Sequence, residues 1–506
     1  MGRVRHLKAF AWFIGFAVVF SMWSIATPFW TSHDAPSHDL YAWAIGHGDW
    51  MPEKTDAYWN GANTNAIVMA PVGAVQSALS SRCFTKGQFL PASCIWPITE
   101  DTEETEFISS AARNFPVYYA VVGVTSNLGT PSQGLALMRL TSIILVAWLM
   151  AWAASGCLQT RRPGLALTGL AIGCTPMFAM LGGVVNPNTI EIAAAYATGV
   201  CCLIFLDDPT GPNSQKMLRR AAIAATILGS TRILGPVWLG IWVLALLILH
   251  GRDLIRVSLS AKNRWWIIVP VLGIIANMAW MLQSGVNNIR SSPAFDLSLT
   301  GRLKATIHDL LISLLQTVGN FGRLEETHVP RYVVAIYAIS AIVLVGQVVL
   351  RLDRRTQIAV FSLAAMALVA PLLLETWKYN WQGPVWQGRY MLPTLGLIPI
   401  LALTGAATAP SRIRAFDSPV TRWSVVGMWI VIIYTHFVAI RVLLDRMMYG
   451  RPEPGAEPFD MPPWQPFISP WLIVTVIVLT LTLGAIVVSR MMWTSQRTLI
   501  QGDAQA

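Results

Sequence analysis

The sequence predicts an all-α protein, a polytopic bundle of about twelve transmembrane helices with one large loop near its start. Three observations carry that expectation. Of 506 residues, 54% are hydrophobic and 12% charged, about half the charged share of an average soluble domain, and the mean hydropathy is +0.52. Apolar runs near the ~20 residues that cross a bilayer recur along the chain, without the strict alternation of strands, so the spans are helices. Short basic loops alternate with longer ones rich in Trp, Pro, Asp and Glu, as the positive-inside rule requires.

The first run, "AFAWFIGFAVVFSMWSIATPFW", follows "MGRVRHLK". It exceeds the roughly 7–15 apolar residues of a secretory signal, and bulky residues follow it. It reads as an uncleaved span with its N-terminus in the cytoplasm. The spans then run 9–30, 134–157, 163–184, 188–206, 218–233, 235–250, 265–283, 331–350, 357–375, 391–408, 423–443 and 470–489. The loops "QTRRPG", "DDPTGPNSQKMLRR", "HGRDLIRVSLSAKNR", "RLDRRTQ" and "APSRIRAFDSPVTR" fall on the cytoplasmic side. They hold most of the net charge of +10, so a nucleic-acid partner is unnecessary and the bilayer is the expected one. Among the opposite loops, residues 31–133 are by far the longest, followed by 284–330, 376–390 and 444–469.

Cys157, Cys174, Cys201 and Cys202 fall in or beside spans and read as inert packing residues. Cys83 and Cys94 share the long loop. They are either free thiols or a disulfide. An oxidising compartment favours the disulfide, which is worth ~2–3 kcal/mol for so short a loop.

The densest titratable cluster, "HDAPSHDLYAWAIGHG", directly follows the first span. Pro36 suits the first turn of a helix. The segment reads as an amphipathic helix along the interface, with His38, Tyr41 and Ile45 on one face. His33, Asp34 and His38 then converge at its start. Asp34 can act there as a general base, hold a divalent cation with a His, or cap the helix; on the residues alone the cap is favoured. Tyr118 and Tyr119 in "RNFPVYYAVVG" suit an aromatic belt at the interface. Arg139, Arg232 and Arg389 lie at span ends on the loop-rich face. Each can snorkel to lipid phosphate; together they suit one anionic headgroup, because guanidinium grips phosphate bidentately. In "ETWKYNWQGPVWQGRY", Trp381, Gln382, Trp386, Gln387 and Tyr390 pair flat apolar rings with polar groups, as sugar sites do. Glu325, Glu326 and His328 can hold a metal or face water, and water is favoured. No nucleotide-binding loop, dinucleotide fingerprint, paired CxxC or HExxH motif is present, so cytoplasmic nucleotide chemistry is not expected.

In order, "SHDAPSH", "NFPVYY", "MRLTS", "NPNT", "GNFGRLEETHVP" and "QGRYMLP" resemble the motifs of a bacterial family of multipass membrane proteins of unknown function, domain of unknown function 2142. That family looks like a branch of the GT-C glycosyltransferases, which move a sugar from a polyprenyl-phosphate carrier to an acceptor on the outer face. The resemblance runs from about residue 30 to 395. It implies a GT-C-like module over 1–408, including the loop 31–133, and C-terminal helices with a cytoplasmic tail over 409–506. It implies a place in the bacterial plasma membrane, with the active face outside, transferring a hexosyl or pentosyl group to a cell-envelope acceptor. Asp34, with His38 beside it, would be the catalytic carboxylate; Arg139, Arg232, Arg389, Tyr118 and Tyr119 would hold the donor phosphate. The family's acidic pair is here Asp34–Ala35, its "FGW" tryptophan is Arg323, and its "NPD" acid is Asn188. One carboxylate speaks against two-carboxylate metal binding, so Mg or Mn stays an open cofactor and none is required. The rival readings are a transporter or lipid flippase, expected to show repeats and mid-membrane polar sites, and a non-catalytic membrane subunit.

Overall fold

The computed structural model describes residues 2–55, 65–85, 90–284, 296–321, 327–410, 414–450 and 462–503. Among them, nine helices are long and apolar enough to cross a membrane, or eleven if two sharply bent pairs each count as one span. The twelfth expected span is the helix Ser214–Thr231. Lys216, Arg219 and Arg220 near its start make it amphipathic rather than apolar. It packs instead between Pro187–Asp207 and Arg264–Ser284.

Prolines and glycines explain the broken spans. The expected span 163–184 is two helices, Pro163–Gly173 and Pro176–Gly182, meeting at 75°. Pro176 disfavours helix at the residue before it, and Thr175 caps the second piece by accepting from Phe178 N. Gly251, at φ 56°, turns the chain by 112° between Gly235–His250 and Arg252–Ser258. The middle of the expected loop 284–330 contains a further helix, Leu299–Gln316, packed on Arg354–Gln382 and Gly388–Leu395.

The long loop folds on itself. Strands β1 (Lys54–Thr55), β2 (Asn65–Pro71) and β3 (Glu104–Ser109) form an antiparallel sheet in that order, with Val68 opposite Phe107. The sheet lies on the helix Ala35–Gly46. That helix is not the interfacial amphipathic helix the sequence suggested. Its residues from Ala35 to Ile45 are buried except Ser37, beneath the sheet and against Val117–Gly123 and Pro131–Cys157. The physical reason is composition: "LYAWAIG" gives it no polar face to turn to water. Its crossing with Val117–Gly123 depends on Gly46 and Gly123, where a Cβ on either would overlap backbone of the other helix.

Cys83 and Cys94 form a disulfide within the loop. Arg446, from the helix Pro419–Tyr449, holds the same region by donating to Phe84 O at 2.8 Å and Leu90 O at 2.9 Å. The C-terminal helices are joined to the rest of the bundle. Pro419–Tyr449 packs on Arg331–Val349, and Pro470–Asp503 packs on Gly2–Ala26 and Pro163–Gly173. At the end opposite the long loop, three basic loops meet. Arg162 grips Asp417 at 2.9 Å, and Arg351 donates to Thr421 Oγ1 at 3.0 Å.

Candidate functional site

The first helix ends at Ala26, and the chain then makes a sharp elbow. Among the described residues, Trp30 (φ 70°) and Asp34 (φ 52°) are the non-glycine residues with positive φ, a conformation that aspartate tolerates better than most. Asp34 precedes the helix Ala35–Gly46 but its side chain makes no capping hydrogen bond. Its carboxylate instead accepts from Arg389 Nη2 at 2.6 Å. The arginine side chain is 1% exposed and the aspartate 50%, although His33 and Ala35 on either side are buried. The carboxylate therefore lines open space, while its partner is set in the protein wall.

Around this pair the sequence motifs converge. Arg389 also donates to the Tyr390 hydroxyl at 3.2 Å. The Arg389 and Arg232 guanidiniums lie over the Tyr390 ring, 5.1 and 4.7 Å from its centroid. Arg232 donates to Asn188 Oδ1 and, at 3.3 Å, to Glu191 Oε2. The Asn188 amide donates to Asn186 Oδ1 at 2.6 Å, and Asn186 Nδ2 donates to His33 O at 3.2 Å. The Tyr118 hydroxyl accepts from Asn186 N at 3.1 Å and pairs with Ser142 Oγ at 2.9 Å. Tyr119 hydroxyl meets His38 Nδ1 at 2.8 Å and accepts from Asn114 Nδ2 at 3.1 Å. Both tyrosines are thus buried network members rather than a belt facing lipid.

The electrostatics follow from burial and arginine. The surrounding wall excludes enough water to push the half-exposed Asp34 carboxyl up, but the Arg389 guanidinium beside it prevails, and the group is held well below the usual carboxylate range. Burial lowers His38 to about 3, with Asp34 offsetting only part and Arg389, Arg232 and Arg113 adding to the depression. His33 is driven well below its ordinary value, first by burial and then by Arg389. Both histidines are therefore neutral at physiological pH, and the positive charge near Asp34 comes from arginine.

Arg139 stands outside this group. It donates to Thr27 O at 2.7 Å and Pro28 O at 3.2 Å, with its guanidinium 4.1 Å from the Phe29 ring centroid. It holds the elbow that delivers Asp34. A groove of about 770 Å³ opens beside it, lined by Ile25, Phe29, Trp96, Leu140 and Phe467 among others. Trp386 packs against Trp238 and Tyr390, and its backbone N–H and that of Val385 donate to Glu375 Oε1 at 3.2 and 2.8 Å. Gln387 precedes the helix Gly388–Leu395, which presents Arg389. Trp381 is exposed and packs on Trp377, with no contact to the Asp34 group among the described residues. The Gln382 side chain, Arg323, Glu325 and Glu326 lie outside the described residues. His328 pairs with Asn320 Oδ1 at 2.9 Å.

Sequence reasoning missed Arg113, Asn114, Asn186, Asn188 and Glu191 as site residues. A signal existed for Glu191, because an acid inside an apolar run marks a site within a membrane helix. Among the described residues no group of three or more His, Cys, Asp or Glu forms a metal-ligand set. Asp34 stands beside the Arg389 guanidinium, which repels a divalent cation, so the described residues around it do not fit Mg or Mn.

Residues 16–398 match a family described as "Predicted membrane protein (DUF2142)". No curated protein matches the chain. Among solved structures it is similar to ArnT from Cupriavidus metallidurans in the apo state, at 12% identity and TM-score 0.43, covering 95% of this chain and 76% of that one. It is also similar to the same protein bound to undecaprenyl phosphate, at 12% identity and TM-score 0.38, with the same coverage.

Proposed function

The chain belongs to the DUF2142 family of predicted membrane proteins, and from that premise we propose that it is an integral membrane glycosyltransferase. It takes a sugar from a polyprenyl-phosphate donor and passes it to an extracytoplasmic cell-envelope acceptor. One observation supports this above the others. Asp34 is an uncapped, half-exposed carboxylate just past the first span, 2.6 Å from a buried arginine. A helix cap would bond the helix N–H groups. This carboxylate instead lines open space near the end of a membrane helix, where a lipid-held donor can meet a wet acceptor.

The roles follow from the chemistry. The acceptor hydroxyl attacks the anomeric carbon while Asp34 takes its proton. The bond from that carbon to the phosphate oxygen breaks, and the carrier leaves as a phosphate monoester. Arg389 and Arg232 stabilise the charge that develops on it. Tyr390 fixes both guanidiniums in place. His38, neutral and bonded to Tyr119, orients the wall beside Asp34. The groove beside Arg139 offers an apolar berth for the carrier chain. The sugar rests against Trp386 and Gln387.

The test is transfer from a radiolabelled polyprenyl-phosphate sugar in membranes carrying wild-type or Asp34→Asn protein. Asn fits the same space but cannot take the proton, so turnover should fall at least ~100-fold with the protein still inserted. Transfer by the variant at the wild-type rate overturns the reading.

A further inference from the structure

Arg232 ends the helix Ser214–Thr231, where the backbone turns extended. Three other helices hold it. Asn277, buried in Arg264–Ser284, donates from Nδ2 to Arg232 O at 2.8 Å and to Gly229 O at 3.0 Å. Tyr390, in Gly388–Leu395, carries the guanidinium over its ring. Asn188 and Glu191, three apart near the start of Pro187–Asp207, take the side chain itself. Arg232 Nη1 donates to Asn188 Oδ1 and, at 3.3 Å, to Glu191 Oε2.

The tether is one-sided. Both bonds leave from Nη1. The Arg232 Nε is enclosed without a partner, and among the described residues Nη2 donates to nothing. Glu191 is fully buried, whereas the Arg232 side chain keeps 16% of its surface exposed. Nη2 is thus the donor left to meet a ligand. A buried carboxylate is costly unless it serves a cation, and Asn188 alone already gives Nη1 an acceptor. What Glu191 adds is a fixed charge, which pins the guanidinium to the wall by one nitrogen. The ring of Tyr390 connects that guanidinium to Arg389, and Arg389 holds Asp34.

We propose that Glu191 is a positioning residue for an anion site: with Asn188 it tethers Arg232 by Nη1, so that Nη2 is presented to a phosphate ester headgroup. This rests on the reading of Arg232 as a phosphate ligand. A mobile arginine gives up rotamer freedom when it grips a ligand, and the tether meets that cost during folding. A carboxylate tethers better than an amide, because hydrogen bonds to an ionised acceptor are about twice as strong. The charge of Glu191 also opposes an anion, so its two effects carry opposite signs. As a positioning residue it strengthens phosphate binding; as a bare negative charge it weakens it. In this arrangement the guanidinium stands between the carboxylate and the phosphate, and positioning prevails.

Binding of undecaprenyl phosphate in detergent and of inorganic phosphate tests this on the full chain. Glu191→Gln keeps the reach and loses the charge. It should weaken binding about tenfold, the difference between a charge-assisted and a neutral hydrogen bond. Because Glu191 acts through Arg232, the same substitution should change nothing in an Arg232→Met background. A merely structural role would carry its loss into both backgrounds, and that result overturns the proposal. So does unchanged or tighter binding in Glu191→Gln. A loss for both ligands assigns the site to the lipid headgroup, and a loss for inorganic phosphate alone assigns it to the free ion. Should the variants not fold, a structure of the wild type with undecaprenyl phosphate decides. Arg232 Nη2 should then lie within about 3.2 Å of a phosphate oxygen with Nη1 still on Glu191. A phosphate away from Arg232, or one that draws Nη1 off Glu191, overturns the idea. The two readings fail separately. A loss that vanishes with Arg232→Met, without sugar transfer by the wild type, keeps the tether and removes the glycosyltransferase. Transfer with binding indifferent to Glu191 does the reverse.

Discussion

Asp39 lies in the short helix that Asp34 precedes, and the two carboxylates behave in opposite ways. Asp34 has a guanidinium at 2.6 Å and open space in front of it. Asp39 is buried, its Oδ2 has no hydrogen-bond partner, and burial raises it to about 7, with Arg139 offsetting only part. A carboxyl whose folded value exceeds its unfolded one binds more protons when folded. Its ionisation therefore removes stability as pH rises from about 4 to about 7. The buried neutral His33 and His38 tilt stability the other way, losing it as pH falls below their unfolded value. Asp39→Asn isolates the first effect. Melting temperatures in detergent between pH 4.5 and 8 should show the variant gaining on the wild type as pH rises. Parallel curves would remove Asp39 from the account. At this scale the sequence was ambiguous. "HDAPSHD" is compatible with a cap, a cation site or a base, and the cap was favoured until the backbone at Asp34 turned out left-handed and uncapped.

The short helices that carry the site are set by close crossings. Val117–Gly123 brings Tyr118 and Tyr119 against Ala35–Gly46 only because both helices present glycine at the crossing. Gly123→Ala places a methyl against the Ala42 carbonyl, so backbone has to move. Overpacking of this kind costs about 1–3 kcal/mol. Thermal unfolding should show that loss. Phosphate binding should weaken with it, since Tyr118 and Tyr119 connect to His38 and Asn186. A stable variant with unaltered binding would show the crossing to be slack. The apolar runs made the long helices legible. The sheet β1–β3 was not, because its strands are short, sit inside a loop, and follow no sustained alternation. The burial of Ala35–Gly46 was equally hidden, since what covers it lies tens of residues away.

For the whole molecule, the loop charges predict an orientation that labelling can test. The basic loops around Arg162, Arg351 and Asp417 meet at one end, and the long loop with Asp34 lies at the other. From this the positive-inside rule predicts a cytoplasmic N-terminus and an Asp34 recess on the outer side. Leu128 is 75% exposed in the long loop, and Leu259 is 63% exposed in a basic loop. In intact cells an impermeant maleimide should label Leu128→Cys and spare Leu259→Cys. The opposite pattern would invert the topology and move the proposed chemistry to the cytoplasm.

By itself the sequence determined that this is a multipass helical membrane protein, roughly where most of its long apolar helices lie, and which short motifs carry polar side chains near the membrane. These properties are local, because hydropathy and loop charge act over one helix at a time. Tertiary structure alone decided which motifs meet. Residues 34, 113, 118, 188, 232 and 389 come from five separate segments, and only the packed bundle sets Arg389 against Asp34 while drawing Arg139 away to the elbow. A guanidinium acts through hydrogen bonds of about 3 Å. Such distances between remote segments arise only once the helices are packed.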